Sequence, residues 1–347
     1  MVNIDYVEFN ITNVCNFNCT DCVTYNNFSF KGHSRWADYA STYKMWSKVL
    51  DIKRTCIVGG EPMLNPDFDQ WVIHVRDLWP NSSLRILSNG SQIHRWPNLY
   101  SLLWKNNAVL RISAHGIKNR EKIFTKITTL LQSPIRVEYN PTSDELTTWQ
   151  NSYNSIRDSS WPDCNHPEEF ATLPSSIQNE CKTIHGLDGQ TWLDSFQEQT
   201  WIDTNGVRVE IVISNLFFPS AIKYDKTLDG YTLHNSDPDK AIEVCCGRYV
   251  NTFVNGKLHK CSTVALLPDF IKQFDLKISE YDKNLINTYI PADHLWDMDS
   301  IQKFVDELNA GRAIEQCKFC SESEALAEPF EAGTKKVNFY ARPKLHN

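Results

Sequence analysis

Ten residues near the N-terminus, Asn13-Val14-Cys15-Asn16-Phe17-Asn18-Cys19-Thr20-Asp21-Cys22, constrain this chain more than any other stretch. They carry three cysteines in a C-x3-C-x2-C spacing, directly after an apolar-alternating run over 4–11. Alternation of period two predicts a strand, so the cysteines fall on the loop that leaves its C-terminal end. Three thiolates this close can grip three corners of a cubane iron–sulfur cluster. The loop offers no fourth thiolate, so one iron stays open. An open metal position is what chemistry needs, whereas a closed one only supports structure. The competing use of such a trio is a zinc knuckle, but zinc sites add a second cysteine pair or clustered histidines. No further cysteine follows before Cys56.

Downstream, helical periodicities and short apolar runs alternate. Helical spacing covers 36–50, and a strand over 55–58 ends in Gly59-Gly60-Glu61-Pro62. Asn65-Pro66 opens a helix to about residue 78, with proline at a first-turn position. A strand over 84–87 runs into Ser88-Asn89-Gly90, and a helix over 96–105 leads to a strand over 109–113 and Ala114-His115-Gly116. A helix over 120–131 leads to a strand over 135–139 and Asn140-Pro141, and 207–213 reads as the sixth strand. Such alternation predicts parallel strands with helical crossovers. The residues of unusual chemistry follow the C-terminal strand ends, the face that carries active sites in barrel-like α/β folds. The stretch 143–205 is longer than one crossover needs and reads as an insertion with a helix over 146–156. Its Cys164, His166, Cys181 and His185 are either ordinary side chains or, for the two thiols, hydrogen donors to a substrate radical.

Taken in order, these features resemble the radical S-adenosylmethionine (SAM) enzymes. The cysteine trio is similar to that superfamily's cluster motif, and Gly59-Gly60-Glu61-Pro62 to its GGEP element. Ser88-Asn89-Gly90 resembles its Thr-Asn-Gly turn, and Ser113-Ala114-His115-Gly116 its fourth-strand ending. Asn140 matches a position where the family places an asparagine near the ribose. Each match alone reads as a turn or a cap; four at consecutive strand ends agree with one another. The resemblance implies that Cys15, Cys19 and Cys22 bind a catalytic [4Fe–4S] cluster whose open iron SAM chelates. The reduced cluster then cleaves SAM, and a 5′-deoxyadenosyl radical takes a hydrogen atom from substrate. The resemblance also implies cofactor contacts from Gly59, Gly60, Glu61, Asn89, Ser113 and Asn140. Carbonyls exposed by small residues, with a carboxylate nearby, suit the cofactor's ammonium group. The implied fold is α/β, a partial (β/α)6 TIM-like barrel.

A second metal signal lies in the C-terminal part. Cys246 and Cys261 stand in C-x9-G-x4-C spacing around Asn255-Gly256, a strong hairpin signal that would make the two cysteines neighbours. Cys317 and Cys320 form a C-x2-C pair. Four thiolates close one tetrahedral zinc site or one full cubane. Cys245 is the alternative ligand to Cys246; adjacent strand residues point to opposite faces, so only one of the two serves. The element resembles the twitch domain, the shortened relative of the SPASM extension. That implies an auxiliary [4Fe–4S] cluster, and only one, since no cysteine follows Cys320. The expected organisation is a radical SAM barrel over 1–236, a small hairpin-plus-helix auxiliary domain over 237–325, and a tail over 326–347.

The net charge of −7 argues against broad electrostatic binding to nucleic acid or an anionic membrane. The N-terminus lacks the basic and apolar segments of a signal peptide, and no apolar run approaches spanning length. A cytoplasmic protein is expected. In that reducing compartment eleven cysteines point to metal or catalysis rather than disulfides. Eleven tryptophans point to a well-filled core. The resemblance implies a flavodoxin- or ferredoxin-like electron donor and either a small polar substrate or a ribosomal peptide. The sequence starts at its first strand without a peptide-binding segment, which favours the small molecule. The rival from another class is a non-catalytic zinc or iron–sulfur protein.

Overall fold

The computed structural model describes residues 1–19, 22–114, 117–139, 198–212, 216–217, 220–225, 227–245, 247–322 and 326–327. Strand β1 (Val2–Asn10) leads into α1 (Trp36–Val49) and β2 (Leu50–Val58). Next come α2 (Phe68–Leu78), β3 (Ser83–Ser88), α3 (Leu99–Lys105) and β4 (Ala108–Ser113). Strands β1 to β4 pair in sequence order and in parallel, as the alternation predicts. Then follow α4 (Ile117–Leu130), β5 (Arg136–Tyr139), β6 (Glu198–Ile202) and β7 (Arg208–Val212).

Beyond β4 the order departs from expectation. The strand expected sixth, β7, lies directly on β4 in parallel, and β6 folds back antiparallel to β7. The strand expected fifth, β5, is outermost and antiparallel to β6. The cause is a tight turn: the Asp203 carboxylate accepts the backbone N–H groups of Asn205 (2.9 Å) and Val207 (3.0 Å), and Gly206 sits at φ +81°. Gly206 supplies the left-handed conformation such a turn requires. Once β7 docks on β4, that hairpin closes off the position next to β4, and β5 is left the outer edge.

Strand β8 (Leu216–Phe217) precedes a hairpin of β9 (Ile222–Asp225) and β10 (Gly230–Leu233). Helix α5 (Pro238–Glu243) is capped by Asp237 with proline in its first turn. The hairpin of β11 (Asn251–Val254) and β12 (Lys257–His259) turns at Asn255 (φ 50°) and Gly256 (φ 77°). Two positive φ values are what the Asn-Gly signal calls for. Strand β11 pairs in parallel with the free side of β1, so one nine-stranded sheet runs β12-β11-β1-β2-β3-β4-β7-β6-β5. Helices α6 (Ser262–Phe274), α7 (Glu280–Thr288) and α8 (Met298–Asn309) follow, and β13 (Leu326–Ala327) pairs with β8.

Aromatic side chains hold α1 and α2 on the sheet. Phe9 and Phe253 on paired strands lie 5.2 Å apart, and Phe9 meets Tyr43 of α1 at 5.5 Å. Trp71 of α2 meets Tyr43 edge-on at 5.5 Å, and each such pair adds about 0.5–1.5 kcal/mol beyond area burial. The buried indoles find partners: Trp46 donates to the Gly256 carbonyl (2.8 Å) and Trp79 to that of Leu50 (3.1 Å). A second core joins Tyr25, Phe28 and Phe30 to Leu266, Phe270 and Phe319. It ties the chain just after the first cysteine loop to the C-terminal helices.

Candidate active site

The first cysteine loop is fixed from its base. Thr12 Oγ1 accepts the Val14 N–H (3.0 Å) and lies 2.8 Å from His33 Nδ1. Gly59-Gly60 then packs flat against the loop: the Gly60 N–H donates to the Thr12 carbonyl (2.7 Å) and the Glu61 N–H to that of Val14 (2.8 Å). A Cβ on Gly60 would lie 2.3 Å from the Val14 oxygen and 2.9 Å from Cys15 Cβ. These glycines are therefore glycine because two backbones approach closely there.

The Glu61 side chain turns inward and is fully buried. Its oxygens accept Ser88 Oγ (2.8 Å), the Asn89 N–H (2.8 Å) and the Met63 N–H (3.2 Å). Burial pushes the carboxyl up to about 7 against the downward pull of those bonds. Glu61 thus staples the turn after β2 to the turn after β3. From that turn Asn89 reaches the cysteine loop, its Nδ2 donating to Asn16 Oδ1 (3.2 Å) and lying 3.8 Å from Cys15 Sγ. The Phe17 N–H also points at Cys15 Sγ (3.4 Å), and Cys22 Sγ lies 3.3 Å from Thr24 Oγ1. Hydrogen bonds to the sulfur ligands of a cluster tune its potential.

Ser113 ends β4 on the side facing away from the helices, paired with Val212 of β7. Cys15, Cys19 and Cys22 form no disulfide and are half-buried. Among the described residues no group of three or more His, Cys, Asp or Glu side chains is gathered closely enough to hold a metal ion. The donor set itself fits a three-thiolate cluster site: three thiols outside any disulfide on one loop, with the Phe17 N–H and the Asn89 amide aimed at the Cys15 sulfur. Asn140 and Cys246, with His115, Gly116, Cys164, His166, Cys181 and His185, lie outside the described residues.

In the C-terminal part, Cys261 caps the start of α6, and burial pushes its thiol up to about 12, with Cys245 and Cys317 adding to the rise. Cys320 follows Cys317 on one tight turn, its N–H bonded to the Cys317 carbonyl (2.9 Å). Tyr25 stands between the two cysteine regions. Its hydroxyl donates to the Thr263 carbonyl (3.0 Å). Burial, then the Cys320, Cys261 and Cys22 sulfurs, push the phenol up.

Sequence reasoning missed a polar row on the sheet face away from α1 and α2. Glu8 on β1 lies beside Cys56 on β2, which lies beside Arg85 on β3. Arg111 on β4 pairs with Glu210 on β7. The signal was present, because parallel strands covered on both faces read as continuous apolar runs, and charges at mid-strand break that pattern.

Curated proteins match part of the chain. A GTP 3′,8-cyclase from Nautilia profundicola is 30% identical over 89 residues, 25% of this chain and 28% of that protein. Another from Aliarcobacter butzleri is 32% identical over 89 residues, with the same coverage. The chain thus spans less than a third of the length of these relatives. Among solved structures, BtrN in complex with AdoMet and 2-DOIA is 13% identical at TM-score 0.38, covering 95% of this chain and 97% of that one. Hexahistidine-tagged anSMEcpe with bound AdoMet is 17% identical at TM-score 0.30, covering 37% and 41%. No family model matches. The curated matches, with the cysteine loop and the ordered strand-end turns, support a radical SAM superfamily member.

Proposed function

We propose that the protein is a radical SAM enzyme that reductively cleaves SAM and removes a hydrogen atom from a small polar substrate. One observation carries this reading: the turns after β2 and β3 converge on the loop of Cys15, Cys19 and Cys22, through Gly60, Glu61 and Asn89. A [4Fe–4S] cluster held by those thiols would supply one electron and one open iron. The chain's own part is then positional. Glu61 fixes Asn89, and Asn89 with the Phe17 N–H hydrogen-bonds the Cys15 sulfur. Ser113 and Asn140 complete the proposed cofactor set, in a sheet that would form the partial (β/α)6 barrel.

An auxiliary [4Fe–4S] cluster on Cys246, Cys261, Cys317 and Cys320 is part of the same proposal. What supports it is the nearness of Cys317 and Cys245 to Cys261, whose thiol they help push up, and the short turn linking Cys317 to Cys320. Cys245 shares that neighbourhood. The name of the curated relatives makes GTP their substrate, a small polar molecule, which supports that substrate class over a peptide. A flavodoxin- or ferredoxin-like donor in the cytoplasm would deliver the electron. Anaerobic reconstitution, reduction with dithionite and chromatography of the products test the reading. 5′-Deoxyadenosine should form from SAM; bound zinc and no cleavage would instead support a non-catalytic metal protein.

A further inference from the structure

The C-terminal helices border a cavity of about 260 Å³ that the cofactor proposals do not use. Phe304 and Leu308 line one side of it; four residues apart, they share a face of α8. Gly311 (φ +59°) turns the chain after that helix, and Ile314 adds another apolar wall. The Gly311 carbonyl accepts Arg248 Nε (2.9 Å), which holds the turn in place. Asn309 Nδ2 donates to the Asn3 carbonyl (3.4 Å). That bond ties the end of α8 to the start of β1, away from the first cysteine loop. Tyr289 adds a polar wall: its hydroxyl accepts the Lys260 N–H (2.8 Å) and has its own proton to donate. Three residues on, Ala292 exchanges backbone bonds of 2.9 and 3.1 Å with Leu258 of β12. The walls are thus fixed before a ligand enters.

Lys260 lines this cavity and is only 4% exposed. Its ammonium makes no hydrogen bond or ion pair among the described residues. A charge out of water without a partner is costly, and an anion beside it offsets that cost. The other charges at the cavity, Glu307 and Arg312, are exposed and of opposite sign. The charge that counts at depth is therefore the single one of Lys260. We propose that the cavity binds a small monocarboxylate with a compact apolar body. Its carboxylate would sit on the Lys260 ammonium and the Tyr289 hydroxyl, and its body against Phe304, Leu308 and Ile314. The volume falls just short of the roughly 300 Å³ at which drug-sized pockets begin, which suits a small molecule. The proposal does not rest on the radical SAM reading. The rival use of Lys260 is the nearby thiols: its charge pulls those of Cys245, Cys261 and Cys317 down, against burial.

The test is calorimetric titration of the anaerobically reconstituted full chain, in saturating SAM so that the proposed cofactor site is filled. The probes are phenylacetate, its uncharged isostere phenylacetamide, and inorganic phosphate. Wild type should bind phenylacetate at least tenfold more tightly than either other probe, the worth of one charge-assisted pair. Lys260→Met should bring phenylacetate down to the level of the amide while leaving the amide unchanged, a split that misfolding would not give. Ala313→Leu, which fills space at the cavity wall, should weaken both. A wild type that binds no phenylacetate, or binds it no better than the amide or phosphate, overturns the proposal. So does a Lys260→Met protein that keeps wild-type affinity. Iron content is read in parallel: loss of about four irons in Lys260→Met, with phenylacetate affinity intact, would assign the lysine to the thiolates instead.

Discussion

Gly60→Ala is the sharpest perturbation of the candidate site. The added Cβ would stand 2.3 Å from the Val14 oxygen, 2.6 Å from the Val14 carbonyl carbon and 2.9 Å from Cys15 Cβ. Ordinary carbon contacts are about 3.5–4.0 Å, and two of the three opposing atoms are backbone, so the cysteine loop must retreat by roughly 1 Å. Overpacking of this kind costs about 1–3 kcal/mol. The retreat also stretches the Gly60–Thr12 (2.7 Å) and Glu61–Val14 (2.8 Å) hydrogen bonds, at about 0.5–1.5 kcal/mol each. Together the loss is about 2–6 kcal/mol, or roughly 5–20 °C in Tm at about 2–4 °C per kcal/mol. Scanning calorimetry of the purified protein reads the first effect, and iron bound after reconstitution reads the displacement of Cys15. Gly206→Ala is the control, because nothing lies within 4 Å of its Cβ and only its φ of +81° is strained. A Gly60→Ala protein that melts with that control and binds wild-type iron would refute the close-approach argument.

Two further outcomes follow from the buried polar groups. Burial holds the Glu61 carboxyl near 7, above its ordinary 4.5, so the folded state keeps the proton more tightly. Its contribution is fully present below about pH 4.5 and is lost as pH rises through about 7, a loss of at most about 3 kcal/mol. Glu61→Gln, which stays neutral, should therefore gain on wild type in Tm between about pH 5 and pH 8, and a pH-independent difference would contradict this. Tyr25→Phe deletes one buried donor to the Thr263 carbonyl (3.0 Å) while keeping the ring against Phe270. It should lower the unfolding free energy by about 1–3 kcal/mol in urea titration, and a change under about 0.5 kcal/mol would mean the bond is not held.

Much of the first half of the fold is legible because period and punctuation coincide there. Alternating apolar residues mark β1, short apolar runs mark β2 to β4, and each strand stops at a turn such as Gly59-Gly60 or Ser88-Asn89-Gly90. Strand β6 was not legible: its Glu-Gln-Thr-Trp-Ile is short and half polar, and its partner is set by the Asp203 turn rather than by its own residues. The consequence was a wrong position for β5. The Asn255-Gly256 hairpin was legible, but its docking beside β1 depends on Phe253 meeting Phe9, a long-range contact that no local pattern shows. At the site, Cys15 and Gly60 were visible as motif members. The use of Gly60 as a close-approach residue and of Glu61 as a staple needed coordinates, because both depend on what the next loop presents. The row of Arg85, Arg111 and Glu210 was visible only as scattered charges until register aligned them.

The most direct measurement is iron content and SAM cleavage in a variant with Cys15, Cys19 and Cys22 all changed to alanine. Wild type, reconstituted without oxygen, should hold about eight irons, as two cubanes require, and release 5′-deoxyadenosine on reduction. The variant should keep about four irons and release none. Cleavage of SAM by the variant, or a wild type that binds no iron at all, would contradict the claim that this loop carries the reactive metal.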